Sequence, residues 1–121
     1  MLYDGPSSTI RPSRAALQIR RRRVAQNGYL VTLSGELDIQ TAVELRSDLT
    51  AILAERPLPV QVTVDLLGVT FMDSMGLGTL VVGHRICGDL GVGFTVRNPS
   101  DFVAHLLSVS GFSDRLLGTG T

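Results

Sequence analysis

The sequence predicts an α/β fold: a single domain on a mixed sheet of four to five strands, with an N-terminal antiparallel hairpin, parallel crossovers and three or more helices. Three observations carry this expectation. In the second half of the chain, runs with a period of two alternate with runs of helical period, the order that right-handed parallel crossovers need. Near the start, two strand-like runs flank an Asn27-Gly28 pair, a signal for a tight turn. A chain of 121 residues that is 44% hydrophobic supplies one core and no second domain.

Residues 1–16 mix Gly, Pro, Ser and Arg without periodicity and read as a flexible tail, leaving 17–121 as the domain. Residues 17–24 and 29–34 suit strands, with Asn27 and Gly28 supplying the positive φ angles of the hairpin. In the first strand Gln18, Arg20 and Arg22 share the polar face, while Arg21 and Arg23 fall on the apolar side at its rim. Such a strand reads as a charged edge that resists association, with a basic binding patch as the alternative. Over 41–56, Ala42, Leu45, Leu49, Ile52 and Leu53 recur at helical spacing, Thr41 and Glu44 match a capping box, and Pro57 and Pro59 stop the helix. Residues 60–66 alternate as a central strand whose flanking Leu67 and Val69 suggest deep burial, and 68–71 read as a turn. A second helix over 74–89 presents Leu77, Leu80, Val81 and Cys87 inward. Residues 92–97 form a strand, and Asn98-Pro99 reads as the cap and first position of a third helix. Phe102, Val103, Leu106 and Leu107 form its stripe, Gly111 ends it in a left-handed conformation, and Phe112 folds back over its last turn. Residues 115–117 are the candidate fifth strand.

Composition removes several classes of function. Cys87 is the one cysteine, so neither an intramolecular disulfide nor a structural zinc cluster is expected, and no cofactor or metal site suggests itself. All eleven cations are arginine; without lysine there is no Walker loop, no Schiff base and no receiver-domain lysine. Eleven cations against eleven anions argue against a dedicated nucleic-acid binder. No apolar run approaches the ~18 residues of a membrane span, and the opening residues lack a secretory signal's apolar stretch, so a cytoplasmic protein is expected. His84, His105 and Cys87 read as structural residues on helices. Ser74 and His84 lack the nucleophile elbow of a hydrolase, and Gly76-Leu77-Gly78 is a fragment of a dinucleotide fingerprint with Val81 in place of its third glycine. No catalytic residue is expected, and a small enzyme or nucleotide-binding protein is the reading this disfavours.

Residues 64–78 are different, because Asp73-Ser74 follows an apolar strand and opens a helix. Either residue can accept from the free amides of the first turn, between apolar Met72 and Met75 and beside small Gly76. On local physics two readings stand: a helix cap, or a regulated serine whose phosphate the helix dipole and exposed amides would accommodate.

The run Phe71-Met72-Asp73-Ser74-Met75-Gly76-Leu77-Gly78, with Gly35-Glu36-Leu37-Asp38 before it and Asn98-Pro99 through Ser110-Gly111-Phe112 after it, resembles STAS domains of the bacterial anti-sigma factor antagonists. The likeness covers about residues 17–117. It implies a partner switch: Ser74 is phosphorylated by an anti-sigma factor that is also a GHKL-type ATP-dependent serine kinase, and a metal-dependent serine phosphatase restores it. The unphosphorylated form then binds the anti-sigma factor and frees a sigma factor for transcription. The resemblance places Asp38, Asp73, Ser74, Met75, Gly76 and Leu77 on the partner-binding surface, with a helix-start cap as the other reading of Asp38. Met75 stands where the family often has Ser or Ala, which removes a possible second acceptor and enlarges the contact surface. The alternative is a non-switching STAS subunit of a stress-sensing scaffold or of a lipid or anion transport complex. A monomer or weak dimer is expected.

Overall fold

Alternating apolar side chains close the strands into one sheet. The computed structural model describes residues 16–118, so the tail expected over 1–16 lies, apart from Ala16, outside the described residues. The elements run β1 (Gln18–Val24), β2 (Gly28–Leu37), α1 (Ala42–Leu53), β3 (Gln61–Met72), α2 (Ser74–Asp89), β4 (Gly93–Arg97), α3 (Asp101–Ser110) and α4 (Ser113–Leu117). Among the described residues four strands lie in the order β1-β2-β3-β4. The first pair is antiparallel and the other two are parallel. Both crossovers step the same way, and right-handed connections therefore place α1 and α2 side by side on one face. Val31, Leu33, Val62, Val64, Phe94 and Val96 line that face and join buried residues of all four helices in a single core.

The hairpin turns one residue earlier than Asn27-Gly28 suggests. Gln26 and Asn27 hold the positive φ values, 63° and 60°. Gly28 already pairs with Val24 as the first residue of β2. Asn27 donates its side-chain amide to the Leu58 carbonyl at 2.9 Å, and its backbone carbonyl accepts from the Val60 amide at 2.9 Å, which ties the turn to the approach of β3. Arg21 and Arg23 do sit at the rim: Arg21 pairs with Asp48 of α1 at 3.5 Å and Arg23 with Glu55 at 2.6 Å.

The turn expected over 68–71 is strand. β3 continues to Met72 because its register against β2 slips twice, between Thr32 and Ser34 and between Gly35 and Glu36. Each slip leaves an extra residue on β3, so the inward positions move from Val62, Val64 and Leu66 to Val69 and then Met72. Leu67 consequently points out and is 75% exposed, against the burial expected of it. Two bulges broke the period that marks a strand in the sequence.

Two helix starts also differ. Thr41 makes no side-chain cap for α1, so the capping box with Glu44 does not form. Asn98 is left-handed and donates to Asp65 at 3.2 Å, while Ser100 caps α3 by accepting from the Val103 amide at 3.2 Å. Phe102, expected in the stripe of α3, is 52% exposed and stacks on Phe71 with ring centres 5.6 Å apart. Gly111 ends α3 with φ 84°, and the Phe112 amide donates back to Leu107. Residues 115–117 do not form a strand. They belong to α4, which buries Leu116 against the core while satisfying its own backbone.

Candidate functional site

Asp73 caps α2 and does more than cap. One carboxylate oxygen, Oδ1, accepts from the Met75 and Gly76 amides at 2.9 and 3.0 Å. The other, Oδ2, accepts from the Ile39 amide at 3.1 Å, across 34 residues of sequence. The Asp73 amide donates to the Leu37 carbonyl at 3.2 Å. The start of α2 is thereby stitched to the loop between β2 and α1. Gly76 completes the join, since a Cβ there would collide with the Leu37 backbone carbonyl and side chain.

Asp38 lies beneath this surface, 2% exposed. Its Oδ1 accepts from the Gln40 and Thr41 amides at 2.9 and 3.1 Å and from the Thr41 hydroxyl at 3.2 Å. Thr41 turns its hydroxyl away from the helix, donating to the Glu36 carbonyl at 2.7 Å and accepting from the Asp38 amide at 2.9 Å. Asp38 therefore shapes the loop that Asp73 holds.

Of the six residues expected on a partner surface, Ser74 and Met75 are exposed and Asp73 is half-buried, while Asp38, Gly76 and Leu77 are buried. The burial of Gly76 and Leu77 has one cause. The first turn of α2 has an inner side pressed on the end of β2, and Gly76 and Leu77 occupy it. Sequence reasoning missed two exposed apolar residues: Ile39, 64% exposed, whose amide meets Asp73, and Phe71, which stacks on Phe102. The available signal was an isoleucine within a polar loop and a phenylalanine out of phase in β3.

Two of the first-turn amides that would welcome a phosphate on Ser74 are already taken by Asp73, so the accommodation expected from exposed amides is reduced. The dipole at the start of α2 remains, with the Asp73 carboxylate set against it. The other candidates stay apart. His84 meets Phe94 edge-on at 6.2 Å, His105 is exposed on α3, and burial pushes the Cys87 thiol up to about 11. Among the described residues, no group of three or more His, Cys, Asp or Glu side chains could hold a metal ion, and no helix is long and apolar enough to cross a membrane.

A mixed sheet with its helices in one core and a capped, solvent-facing serine at the start of the second crossover helix defines a class of small α/β domains that present a hydroxyl at the sheet's end. Residues 21–118 match the family model described as Mlab, STAS domain, and the chain belongs to the STAS domain family. It is 30% identical over 89 residues to the anti-sigma-B factor antagonist of Bacillus subtilis (strain 168), covering 74% of this chain and 79% of that protein. Among solved structures, an anti-sigma factor antagonist from Mycobacterium paratuberculosis superimposes with TM-score 0.70 at 25% identity, covering 84% of this chain and 83% of the other. The anti-sigma factor antagonist SpoIIAA in its unphosphorylated form shares the fold with TM-score 0.70 at 23% identity, over 83% of this chain and 86% of that one.

Proposed function

We propose that this domain is an anti-sigma factor antagonist switched by phosphorylation of Ser74. The observation that carries the reading is an exposed serine at the first position of α2, which Asp73 caps, next to exposed Met75 and on the helix end that Asp73 ties to the loop of exposed Ile39. Relatedness to anti-sigma factor antagonists supports the class of partner. The unphosphorylated face binds an anti-sigma factor that is also a GHKL-type serine kinase, and the bound sigma factor is released for transcription. The chain supplies the acceptor and carries out no catalysis. Ser74 Oγ attacks the γ-phosphorus of ATP, its proton is lost, and ADP leaves. A metal-dependent serine phosphatase returns the hydroxyl by hydrolysis, all in the cytoplasm.

The contact surface is narrower than the family motif. Ser74, Met75 and the outer edge of Asp73 meet the partner, while Asp38, Gly76 and Leu77 position them from below. A phosphate on Ser74 adds about −1.5 to −2 charges beside the Asp73 carboxylate. With the Met75 and Gly76 amides engaged by Asp73, the group stays directed at solvent in the free protein. In the complex it meets a surface shaped for a hydroxyl, where desolvation and repulsion act together. A penalty of about 3 kcal/mol weakens binding by roughly two orders of magnitude.

The test pairs Ser74→Ala with Ser74→Asp in calorimetric titrations against the anti-sigma factor kinase, with mass spectrometry of the wild-type chain after incubation with kinase and ATP. Ser74→Ala should bind and resist release by ATP, and Ser74→Asp should bind about 100-fold more weakly with its fold intact. Equal affinities, or stoichiometric phosphate on another residue, would sink the reading.

A further inference from the structure

The outer side of α2 carries an apolar stripe that no other element covers within the described residues: Met75, Val82 and Ile86 are 52%, 39% and 43% exposed. With Leu49 and Leu53 of α1 it walls an open groove of about 670 Å³ whose one end is Ser74. We infer that this groove receives an acidic amphipathic helix of a partner protein.

Three features point to that occupant. The first is Gly78, which stands mid-helix on the groove wall. Glycine there costs about 1 kcal/mol of helix propensity, and a Cβ at this position would meet nothing within 4 Å. Gly83, by contrast, is needed inside, where a Cβ would lie 3.2 Å from Leu49 and 3.3 Å from Phe94. An interior fold with no use for Gly78 leaves its bare backbone for close approach from outside, the kind of contact a packed helix makes. The second is length. From Met75 to Ile86 the wall extends roughly 17 Å, enough for three turns of a partner helix laid along it with anchors at every third or fourth residue.

The third is charge. Among the described residues, Arg46 is the one charged residue lining the groove. Arg56 stands past its far end, held by the Leu53 and Glu55 carbonyls at 3.1 and 2.8 Å. Of the acids nearby, Asp48 of α1 is committed to Arg21, and Glu55, past the end of α1, to Arg23 and Tyr29. The groove therefore offers a lining cation and, among the described residues, no lining carboxylate, which favours glutamate or aspartate flanking an apolar stripe and disfavours a second copy of this chain presenting the same arginine.

The inference rests on the proposed switch only for whose helix it is, because an acidic helix ending at Ser74 would be repelled by a phosphate there. The experiment needs no kinase. A fluorescent 15-residue helical peptide with a leucine stripe flanked by glutamates is titrated by anisotropy against the full chain, beside the same peptide with lysines for glutamates. The acidic peptide should bind at least ten-fold more tightly than the basic one at low salt. Val82→Asp and Gly78→Gln, both on the open wall, should each weaken it ten-fold or more without lowering the melting temperature, and Arg46→Glu should reverse the preference between peptides. Equal binding of the two peptides, unchanged affinity in Val82→Asp and Gly78→Gln, or a chain that self-associates through the groove and is made monomeric by Val82→Asp would overturn the inference. A chain that takes the acidic peptide yet is never phosphorylated on Ser74 overturns the switch and leaves the groove standing. Phosphorylation of Ser74 with a groove that takes neither peptide does the reverse.

Discussion

Two glycines two residues apart in α2 should respond to alanine with opposite signs. At Gly78 an added Cβ enters open space. The helix then gains propensity of about 0.8–1 kcal/mol, which for a domain of this size raises the melting temperature by about 4–8 °C. At Gly76 the same methyl group runs into the Leu37 carbonyl and lies 2.9 Å from Leu37 Cγ. Because a backbone carbonyl at the end of β2 cannot rotate aside as a side-chain tip can, the first turn of α2 has to lift. Overpacking of this kind costs about 1–3 kcal/mol, and after a helix-propensity gain like that at Gly78 the net loss reaches about 2 kcal/mol, a fall of up to about 16 °C. Lifting the turn also stretches the bond from the Ile39 amide to Asp73, now 3.1 Å, so that amide should exchange with solvent faster. Thermal melts by circular dichroism of the parent, Gly76→Ala and Gly78→Ala, with hydrogen exchange at Ile39, make the test. If Gly76→Ala melts together with Gly78→Ala, the close approach of α2 to β2 is not what keeps glycine there.

Asp38→Ala should lower stability by about 1 kcal/mol, because it takes the carboxylate acceptor from the Gln40 and Thr41 amides, while the Thr41 amide keeps the residue 38 backbone carbonyl at 3.2 Å and the Thr41 hydroxyl keeps the Glu36 carbonyl; an unchanged melt would show that the loop stands without its carboxylate. Cys87 should be slow to react: at pH 8 a thiol held near 11 is ionised in about one molecule in a thousand, so iodoacetamide should label the native chain at least 100-fold more slowly than the urea-unfolded one. Tyr29 has its phenol raised above the usual value of 10.0, first by the hydrogen bond to Glu55 and then by burial. The unfolded chain loses that proton before the folded one does, so this contribution is present below pH 10 and is lost as pH rises beyond it. Melting temperatures should decline above pH 10, and less steeply in Glu55→Gln than in the parent; parallel curves would remove Tyr29 as the cause.

The parts of this fold that were legible in the sequence are those whose signals are local. The full span of α2 could be read from Asp73-Ser74 onward because a cap and an apolar stripe sit within one helix, and the end of α3 could be read because Gly111 is needed at a left-handed position. The second half of β3 could not, since its two extra residues are defined only against β2, and a period interrupted twice looks like a turn. Thr41 and Glu44 had the spacing of a capping box, yet the Thr41 hydroxyl found the Glu36 carbonyl, a competing acceptor set by the chain's path after β2. At the site, the serine and its cap were visible as neighbours in sequence. The bond from Asp73 to Ile39 spans 34 residues, and the inward turn of Asp38 depends on it being a loop residue under a helix end; neither has a signature in spacing.

The arginines of β1 have a bearing on how the molecules treat one another. β1 is an outer strand of the sheet, and all its residues from Arg20 to Val24 are exposed. The strand is long enough to serve as a template for another strand, yet an antiparallel copy laid against it would bring a row of guanidinium groups against its twin. Arg21 and Arg23 are partly neutralised by Asp48 and Glu55, so Arg20 and Arg22 on the opposite side carry most of this repulsion. Self-avoidance of this kind is an electrostatic fence and weakens as salt shortens the screening length from about 10 Å at 0.1 M to about 3 Å at 1 M. Concentrated solutions of this chain should therefore scatter more light as sodium chloride is added, the reverse of a protein whose molecules attract through opposite charges.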